Sequence, residues 1–161
     1  MSNAQEMGVT LALNAWNLNI TNANKLFDTF SEEQWQRQIA PGKNRGIYLL
    51  GHLVAVHDRM LPLLSLGERL YPHLDDIYLF KADRAAPDSL TADELKLAWK
   101  NVNATLAQGF AALSGAEWLG RHNSITEEEF IKEPHRNKLS VLMNRTHHMA
   151  YHLGQMALLK K

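Results

Sequence analysis

The sequence predicts an all-α protein, a four-helix bundle with long crossover connections. Four segments repeat apolar residues at spacings of three and four, which is the period of a helix with one buried face. No segment keeps the apolar–polar alternation of a β-strand over a comparable length. Two of the three connections between the helical segments are long, so we expect them to cross over the bundle rather than form tight turns.

The first helix is predicted from about Gln5 to Phe30. Its apolar residues follow strictly alternating spacings of four and three, as expected for one buried stripe. The members of this stripe are Val9, Leu13, Trp16, Ile20, Ala23, Phe27 and Phe30. The following segment, residues 31–46, contains Pro41, Gly42 and Gly46, and it is predicted to be a short turn followed by a loop.

The second helix is predicted from Gly46 to about Leu66, with Pro62 kinking it or ending it early. Its apolar residues cover a wide arc, which indicates burial against more than one neighbour. The next connection, residues 67–89, is rich in turn-forming residues and long enough to cross over the bundle. Its aromatic residues suggest that it packs on the bundle.

The third and fourth helices have recognisable start signals. Thr91 and Glu94 fit a capping box at the start of the third helix, and Gly115 is a plausible end for it. After another long connection, residues 116–136, Asn137 is predicted to cap a fourth helix that runs to the C-terminus. Three methionines on the fourth helix are predicted to fill the core rather than bind copper. They are Met143, Met149 and Met156.

Composition limits the possible classes of function. A chain of 161 residues is expected to fold as a single domain, residues 1–161. It has no cysteine, which excludes disulfides and cysteine zinc sites and leaves His, Asp and Glu as side-chain metal ligands. The balanced formal charge argues against nucleic acid or an anionic membrane as the main partner. No segment resembles a membrane span or a signal peptide, so a cytoplasmic protein is expected.

The strongest functional signal is the pair His148 and His152 in the fourth helix. Residues four apart lie on the same face of a helix, about 5–6 Å apart at Cβ, so one rigid element can present two imidazoles to one metal ion. Zincin proteases share this spacing, but they carry a glutamate directly after the first histidine, where this chain has Met149. The pair therefore suggests a metal site of another type, with a third ligand from elsewhere in the chain.

Two histidines of the second helix are candidates for the third ligand. His52 lies at the margin of the apolar arc of its helix, and His148 and His152 lie at the margin of the apolar stripe of theirs. Matching margins on two packed helices can meet at the rim of a bundle, which favours His52. His57 falls well inside the arc, and its simpler interpretation is a core histidine bonded to a backbone carbonyl.

The other histidines have simpler interpretations. His147 points about 100° away from His148 around the helix, towards the outer face or the surroundings of the site. His73, His122 and His135 lie in connections and have no partner at ligand spacing. Spacing alone does not establish a chelate, because histidine pairs of this kind are more often on the surface or hydrogen-bonded.

Two motifs resemble those of the DinB/YfiT-like family of bacterial four-helix proteins. One is Gly51-His52-Leu53 with His57 close behind it, and the other is the run NRTHHMAYHLGQ at residues 144–155. Helix number, crossover lengths and chain size also resemble the family. The resemblance implies that His52, His148 and His152 bind one divalent metal, with zinc expected and nickel or iron as alternatives.

The resemblance also implies an activity on a small-molecule substrate. Family members with a known activity are thiol transferases that use low-molecular-weight thiols such as bacillithiol or mycothiol, or related metal-dependent isomerases. A metal-bound thiol is deprotonated and nucleophilic at neutral pH, whereas a metal-bound water would make the protein a metal-dependent hydrolase. Tyr151 and Gln155 are expected to lie beside the metal ligands without binding the metal themselves.

Two further expectations concern partners and the pocket. A non-catalytic stress-response binding module is the alternative from another class, and a homodimer is expected because helices 1 and 2 carry apolar residues beyond one stripe. The open coordination position is expected to face a pocket rimmed by the two long connections. Trp118, Tyr78 and Phe80 are candidates to line that pocket, although covering the hydrophobic core is the simpler role for each.

Overall fold

The computed structural model describes residues 2–160, and its regular elements are helices with no β-strand in that range. The all-α prediction is therefore confirmed. The four long helices are α1 (Asn3–Phe27), α3 (Gly46–Asp58), α6 (Ala92–Ala112) and α9 (Lys138–Met156). The short α-helices are α2 (Glu32–Gln36), α4 (Met60–Leu63), α5 (Asp75–Tyr78), α7 (Gly115–Trp118) and α8 (Glu127–Lys132). Two 3₁₀-helices span Pro72–Leu74 and Ala157–Lys160.

The long helices surround one hydrophobic core. Helix α1 packs along α9, and α3 packs on both α6 and α9. Three tryptophans, Trp16, Trp35 and Trp99, are almost completely buried between them. None of the helices in residues 2–160 is both long and apolar enough to span a lipid bilayer.

Helix α3 is the central element of the bundle, and its burial explains its wide apolar arc. Nearly every one of its residues is buried. The predicted continuous helix to Leu66 is interrupted at Arg59, after which α4 continues for one turn. Pro62 accounts for the interruption, because it cannot donate a hydrogen bond to the carbonyl of Asp58 and its ring crowds that carbonyl.

The first long connection is fixed to the end of α3 by buried charges. The carboxylate of Asp58, completely buried, accepts hydrogen bonds from the backbone N–H groups of Leu70 and Tyr71 at 2.7 and 3.1 Å. It also pairs with Arg69 at 3.0 Å, and Arg69 in turn pairs with Asp75 at 2.6 Å. These bonds hold the chain between α4 and α5 against the bundle, as the aromatic residues of this connection predicted.

Helix start signals were more reliable than end signals. The capping box of Thr91 and Glu94 and the cap by Asn137 are both confirmed. Gly115 does not end the third helix: α6 ends at Ala112, and Gly115 begins α7 after the N-cap Ser114. The predicted end of the first helix at Phe30 is also wrong by three residues, since α1 ends at Phe27.

Three further predictions of local structure need correction. The predicted loop after the first helix contains α2, which begins with a capping box formed by Ser31 and Gln34. Met143 was predicted to lie in the core, but its side chain is 48% exposed. Met149 and Met156 are completely buried, as predicted.

Candidate metal centre

Three histidine side chains from two packed helices converge on one point. His52 comes from α3, and His148 and His152 come from successive turns of α9. The Nε2 atom of His148 lies 3.2 Å from Nε2 of His52 and 3.0 Å from Nε2 of His152. All three side chains are partly buried, and one ligand atom of each lies within 4.8 Å of the others.

Hydrogen bonds fix the tautomers of two of these imidazoles. Nδ1 of His52 lies 3.0 Å from the backbone carbonyl of Tyr78, and Nδ1 of His152 lies 2.8 Å from the side-chain oxygen of Gln155. Both partners are acceptors, so both Nδ1 atoms donate and carry the proton. The Nε2 lone pairs of His52 and His152 therefore face the point of convergence. Gln155 is itself oriented by donating from its amide nitrogen to the Tyr151 hydroxyl at 3.0 Å.

His148 leaves this cluster short of donors. Its Nδ1 is buried and has no hydrogen-bond partner in residues 2–160. A proton on its Nε2 can be directed at one of the two facing lone pairs, but not fully at both. A cation at the point of convergence would satisfy all three Nε2 lone pairs at once. The donor set of the cluster therefore fits a metal ion better than it fits a closed hydrogen-bond network.

Burial keeps the three imidazoles neutral, which is the form that binds a metal. It is the largest cause lowering the pKa of His52 and His152. The pKa of His148 falls to about 4, chiefly because of burial, with smaller contributions from the two neighbouring histidines and from Arg145. At neutral pH the cluster therefore presents unprotonated ligands.

The separations within the cluster are those of ligands around one ion. Two nitrogens bound about 2.1 Å from the same ion lie about 3.4 Å apart at a tetrahedral angle and about 3.0 Å apart at a right angle. The two Nε2 separations of 3.2 and 3.0 Å fall in this interval. The arrangement could hold a metal ion with three protein ligands.

The family model of the DinB superfamily matches residues 15–156, most of the chain. The chain belongs to the DinB superfamily. No curated protein sequence matches it. Membership agrees with the helical fold and with a histidine cluster that could hold a metal ion, and the match includes both helices that carry the cluster.

In this DinB-superfamily protein, the histidine cluster depends on Gly51, a residue to which the sequence analysis gave no role of its own. Gly51 lies in the middle of α3, and a Cβ there would come within 2.5 Å of the Tyr78 ring. The missing side chain lets Tyr78 pack directly on α3, which brings its carbonyl to His52. A glycine in a helix interior beside a candidate ligand was the available signal, because such a glycine needs a packing or functional reason.

We expect Gly51→Ala to weaken both the fold and metal binding. The added methyl must displace the Tyr78 ring, at a cost of about 1–3 kcal/mol, and the carbonyl that orients His52 moves with it. Loss of an outer partner of a metal ligand reduces affinity by about 10–100-fold. Urea unfolding and competition with a chelator would measure the two effects. Gly154→Ala is the control, because a Cβ at that position meets no atom within 4 Å.

His57 is a core residue, as predicted, but its partner differs from the predicted one. Its imidazole lies between Trp16 and Trp99, with ring centroids 4.7 and 4.8 Å away. Its Nδ1 pairs with the side-chain oxygen of Asn103 at 2.9 Å rather than with a backbone carbonyl. Complete burial lowers the pKa of His57 to about 3. It lies outside the histidine cluster.

The buried His57 should make the metal-free protein less stable in acid. Below its ordinary pKa of 6.5, the unfolded chain takes up a proton that the native chain refuses down to about pH 3. The free energy of unfolding should therefore decrease as the pH is lowered through this interval, and this residue should contribute about 1.4 kcal/mol per pH unit. Urea unfolding across the interval should give a shallower decrease for His57→Gln than for the wild type. Exposed His135 supplies the matched control His135→Gln, which removes one histidine without changing the core.

Two of the three aromatic candidates for a substrate pocket, Trp118 and Tyr78, belong to the hydrophobic core. Trp118 is buried against Phe110, and Tyr78 is buried against α3. Phe80 is exposed beneath the guanidinium of Arg59, 5.3 Å from its ring centre. His147 is exposed and lies on a groove between α1 and α9, away from the three clustered histidines.

Proposed function

We propose that this DinB-superfamily protein is a metal-dependent enzyme that transfers a low-molecular-weight thiol to a small electrophilic molecule. His52, His148 and His152 are the proposed ligands of one divalent metal. The observation that carries the proposal is the convergence of three Nε2 atoms, two of which have their tautomer fixed by an acceptor on Nδ1. Three protein ligands leave room for a further ligand, as in catalytic rather than structural sites.

The thiol must come from outside the chain, because the sequence has no cysteine. A divalent metal at this site would lower the pKa of a bound thiol, so that the thiol would be present as a thiolate at neutral pH. In the overall transfer, the S–H bond breaks and a new bond joins the sulfur to the electrophilic carbon. The leaving group departs with the electrons of its bond to that carbon, and one proton is released.

The chain contributes orientation and partial exclusion of water. The Tyr78 carbonyl and the Gln155 amide hold the His52 and His152 rings, and Tyr151 supports Gln155 through its hydroxyl. Acceptors on the distal nitrogen also raise the basicity of the ligating nitrogen. We assign Gln155 and Tyr151 to positioning, since neither reaches the cluster except through His152.

Zinc is the metal we propose, with nickel and iron as alternatives. Neutral imidazoles suit all three metals, and three nitrogens with an open position are the ligand pattern of catalytic zinc. Elemental analysis of protein purified without added metal tests the choice, and about one equivalent of zinc per chain is the expected result. One equivalent of nickel or iron would replace zinc in the proposal.

Cobalt substitution tests the thiol chemistry directly. Thiolate bound to cobalt produces intense near-ultraviolet charge-transfer bands that imidazole and water do not. We expect several low-molecular-weight thiols to induce these bands in the cobalt protein, and the His148→Ala variant to show none. If thiols leave the spectrum of the cobalt protein unchanged but the protein hydrolyses esters or amides, hydrolysis would replace thiol transfer as the proposed activity. A protein that does neither and carries no metal would be a non-catalytic binding module.

We also propose that residues 1–161 form one domain and that the protein is a homodimer. One hydrophobic cluster extends from Val9 to Leu159, which supports a single domain. Helix α1 exposes Met7, Leu11 and Leu18, which supports a self-associating face on that helix. The apolar excess on α3 gives no such support, because that helix is buried within the protein itself. Sedimentation at several concentrations tests the dimer.

A further inference from the structure

Within the part of the chain that the structure describes, one arginine close to the histidine cluster has no counter-charge. Arg145 lies three residues before His148, on the neighbouring turn of α9, and its side chain is partly buried. Its Nε is buried without a hydrogen-bond partner, and no carboxylate in residues 2–160 forms an ion pair with its guanidinium. Arg59, whose own partner is Asp75, is a further positive charge nearby. Partial burial removes part of the hydration of this charge, and no ion pair within residues 2–160 compensates for that loss.

Arg145 is electrically coupled to the cluster. Its positive charge is among the smaller causes that lower the pKa of His52 and of His148. Burial and Arg59 lower the pKa of Arg145 itself, but a guanidinium remains protonated at neutral pH. A permanent positive charge therefore lies on the helical turn next to His148, one of the candidate metal ligands.

Arg145 lines a pocket of about 360 Å³ whose lining contains no acidic residue. His122 and Arg136 contribute to the same pocket. The Nδ1 atom of His122 accepts from the backbone N–H of Ser124 at 3.3 Å, so the neutral imidazole carries its proton on Nε2. Arg136 is already paired with Glu133 at 3.0 Å, which leaves Arg145 as the unpaired charge in this lining.

We propose that Arg145 binds a carboxylate in this pocket, and that the carboxylate belongs to a small molecule that extends from the pocket to the histidine cluster, whose His148 lies on the neighbouring turn of the same helix. One unpaired guanidinium matches one negative charge, and its planar fork fits a carboxylate with two parallel hydrogen bonds. The lining of this pocket supplies further donors from His122 and Asn144. A phosphate dianion fits less well, because the second positive residue of the lining, Arg136, already has a carboxylate partner. The assignment of this carboxylate to a reactant rests on the proposed function, whereas carboxylate binding itself does not.

Carboxylate binding can be measured without any metal. In the metal-free full-length protein, the Arg145 Nε–H resonance is the reporter, and propionate is the probe against its uncharged analogue propionamide. We expect propionate alone to shift this resonance, and Arg145→Gln to abolish saturable propionate binding in calorimetry. The matched control Arg136→Gln removes a charge of the same kind from the same pocket and should retain saturable propionate binding. No shift with propionate, or tighter binding of inorganic phosphate than of propionate, would overturn the proposal.

A second arm identifies which reactant carries the carboxylate. The cobalt protein is titrated with 3-mercaptopropionate and with the uncharged 3-mercaptopropan-1-ol, read by the charge-transfer bands. A preference of about 10-fold or more for the charged thiol, lost in Arg145→Gln and partly kept in Arg145→Lys, assigns the carboxylate to the thiol. If the cobalt protein binds the two thiols with equal affinity and propionate still binds at Arg145, the carboxylate belongs to the electrophile. A cobalt protein silent to both thiols, with propionate still bound at Arg145, would refute the proposed function while leaving the anion site intact.

Discussion

Replacing His148 with alanine should remove the metal from the protein while leaving the fold in place. His148 is the one residue of the cluster whose Nε2 lies close to both other Nε2 atoms, so its loss leaves two ligands from different helices. Because loss of even an outer partner costs about 10–100-fold in affinity, loss of a ligand should cost at least about 100-fold. Metal content after dialysis should fall from about one equivalent to a small fraction.

His147→Ala is the matched control for this prediction. It removes the neighbouring histidine of the same helix, but His147 is exposed and outside the cluster. Its metal content should therefore equal that of the wild type, and both variants should show the same helical circular dichroism. Equal metal content in wild type and His148→Ala would refute the assignment of the site.

The choice of His52 over His57 was predictable because it depends on position around a helix. Periodicity places His52 at the edge of the apolar arc and His57 inside it, and the structure has the first at the cluster and the second between two tryptophans. Neither assignment required knowledge of distant parts of the chain. The meeting of α3 with α9 then followed from matching edges on two packed helices.

What the sequence did not predict depends on contacts between distant segments. The Tyr78 carbonyl reaches His52 because α5 folds back on α3, and no periodic pattern encodes that path. The unpaired state of Arg145 likewise depends on which carboxylates the fold brings near it. By contrast, α2, α7 and α8 were missed although their capping boxes, such as Ser114 with Glu117, are local signals of the kind recognised at Thr91.

The anchor of the first long connection should be a sensitive point of the fold outside the apolar core. Asp58→Ala removes a completely buried carboxylate, leaves the N–H groups of Leu70 and Tyr71 without their partner, and takes from Arg69 one of its two carboxylate partners, with Asp75 remaining. Removal of one member of a buried ion pair costs about 3–5 kcal/mol, because the remaining groups stay desolvated. For a chain of this size the melting temperature should fall by roughly 10 °C.

The same substitution should also reduce metal affinity, although Asp58 does not touch the histidine cluster. The segment that Asp58 holds continues into α5, which carries the carbonyl that orients His52. Asp76→Ala provides the comparison, since its ion pair with Lys81 in the same segment is exposed and should contribute less than about 1 kcal/mol. Calorimetric melting and chelator competition on both variants test the link. If Asp58→Ala lost stability but kept wild-type metal affinity, the His52 ring would be oriented by α3 alone, and the long connection would have no part in forming the site.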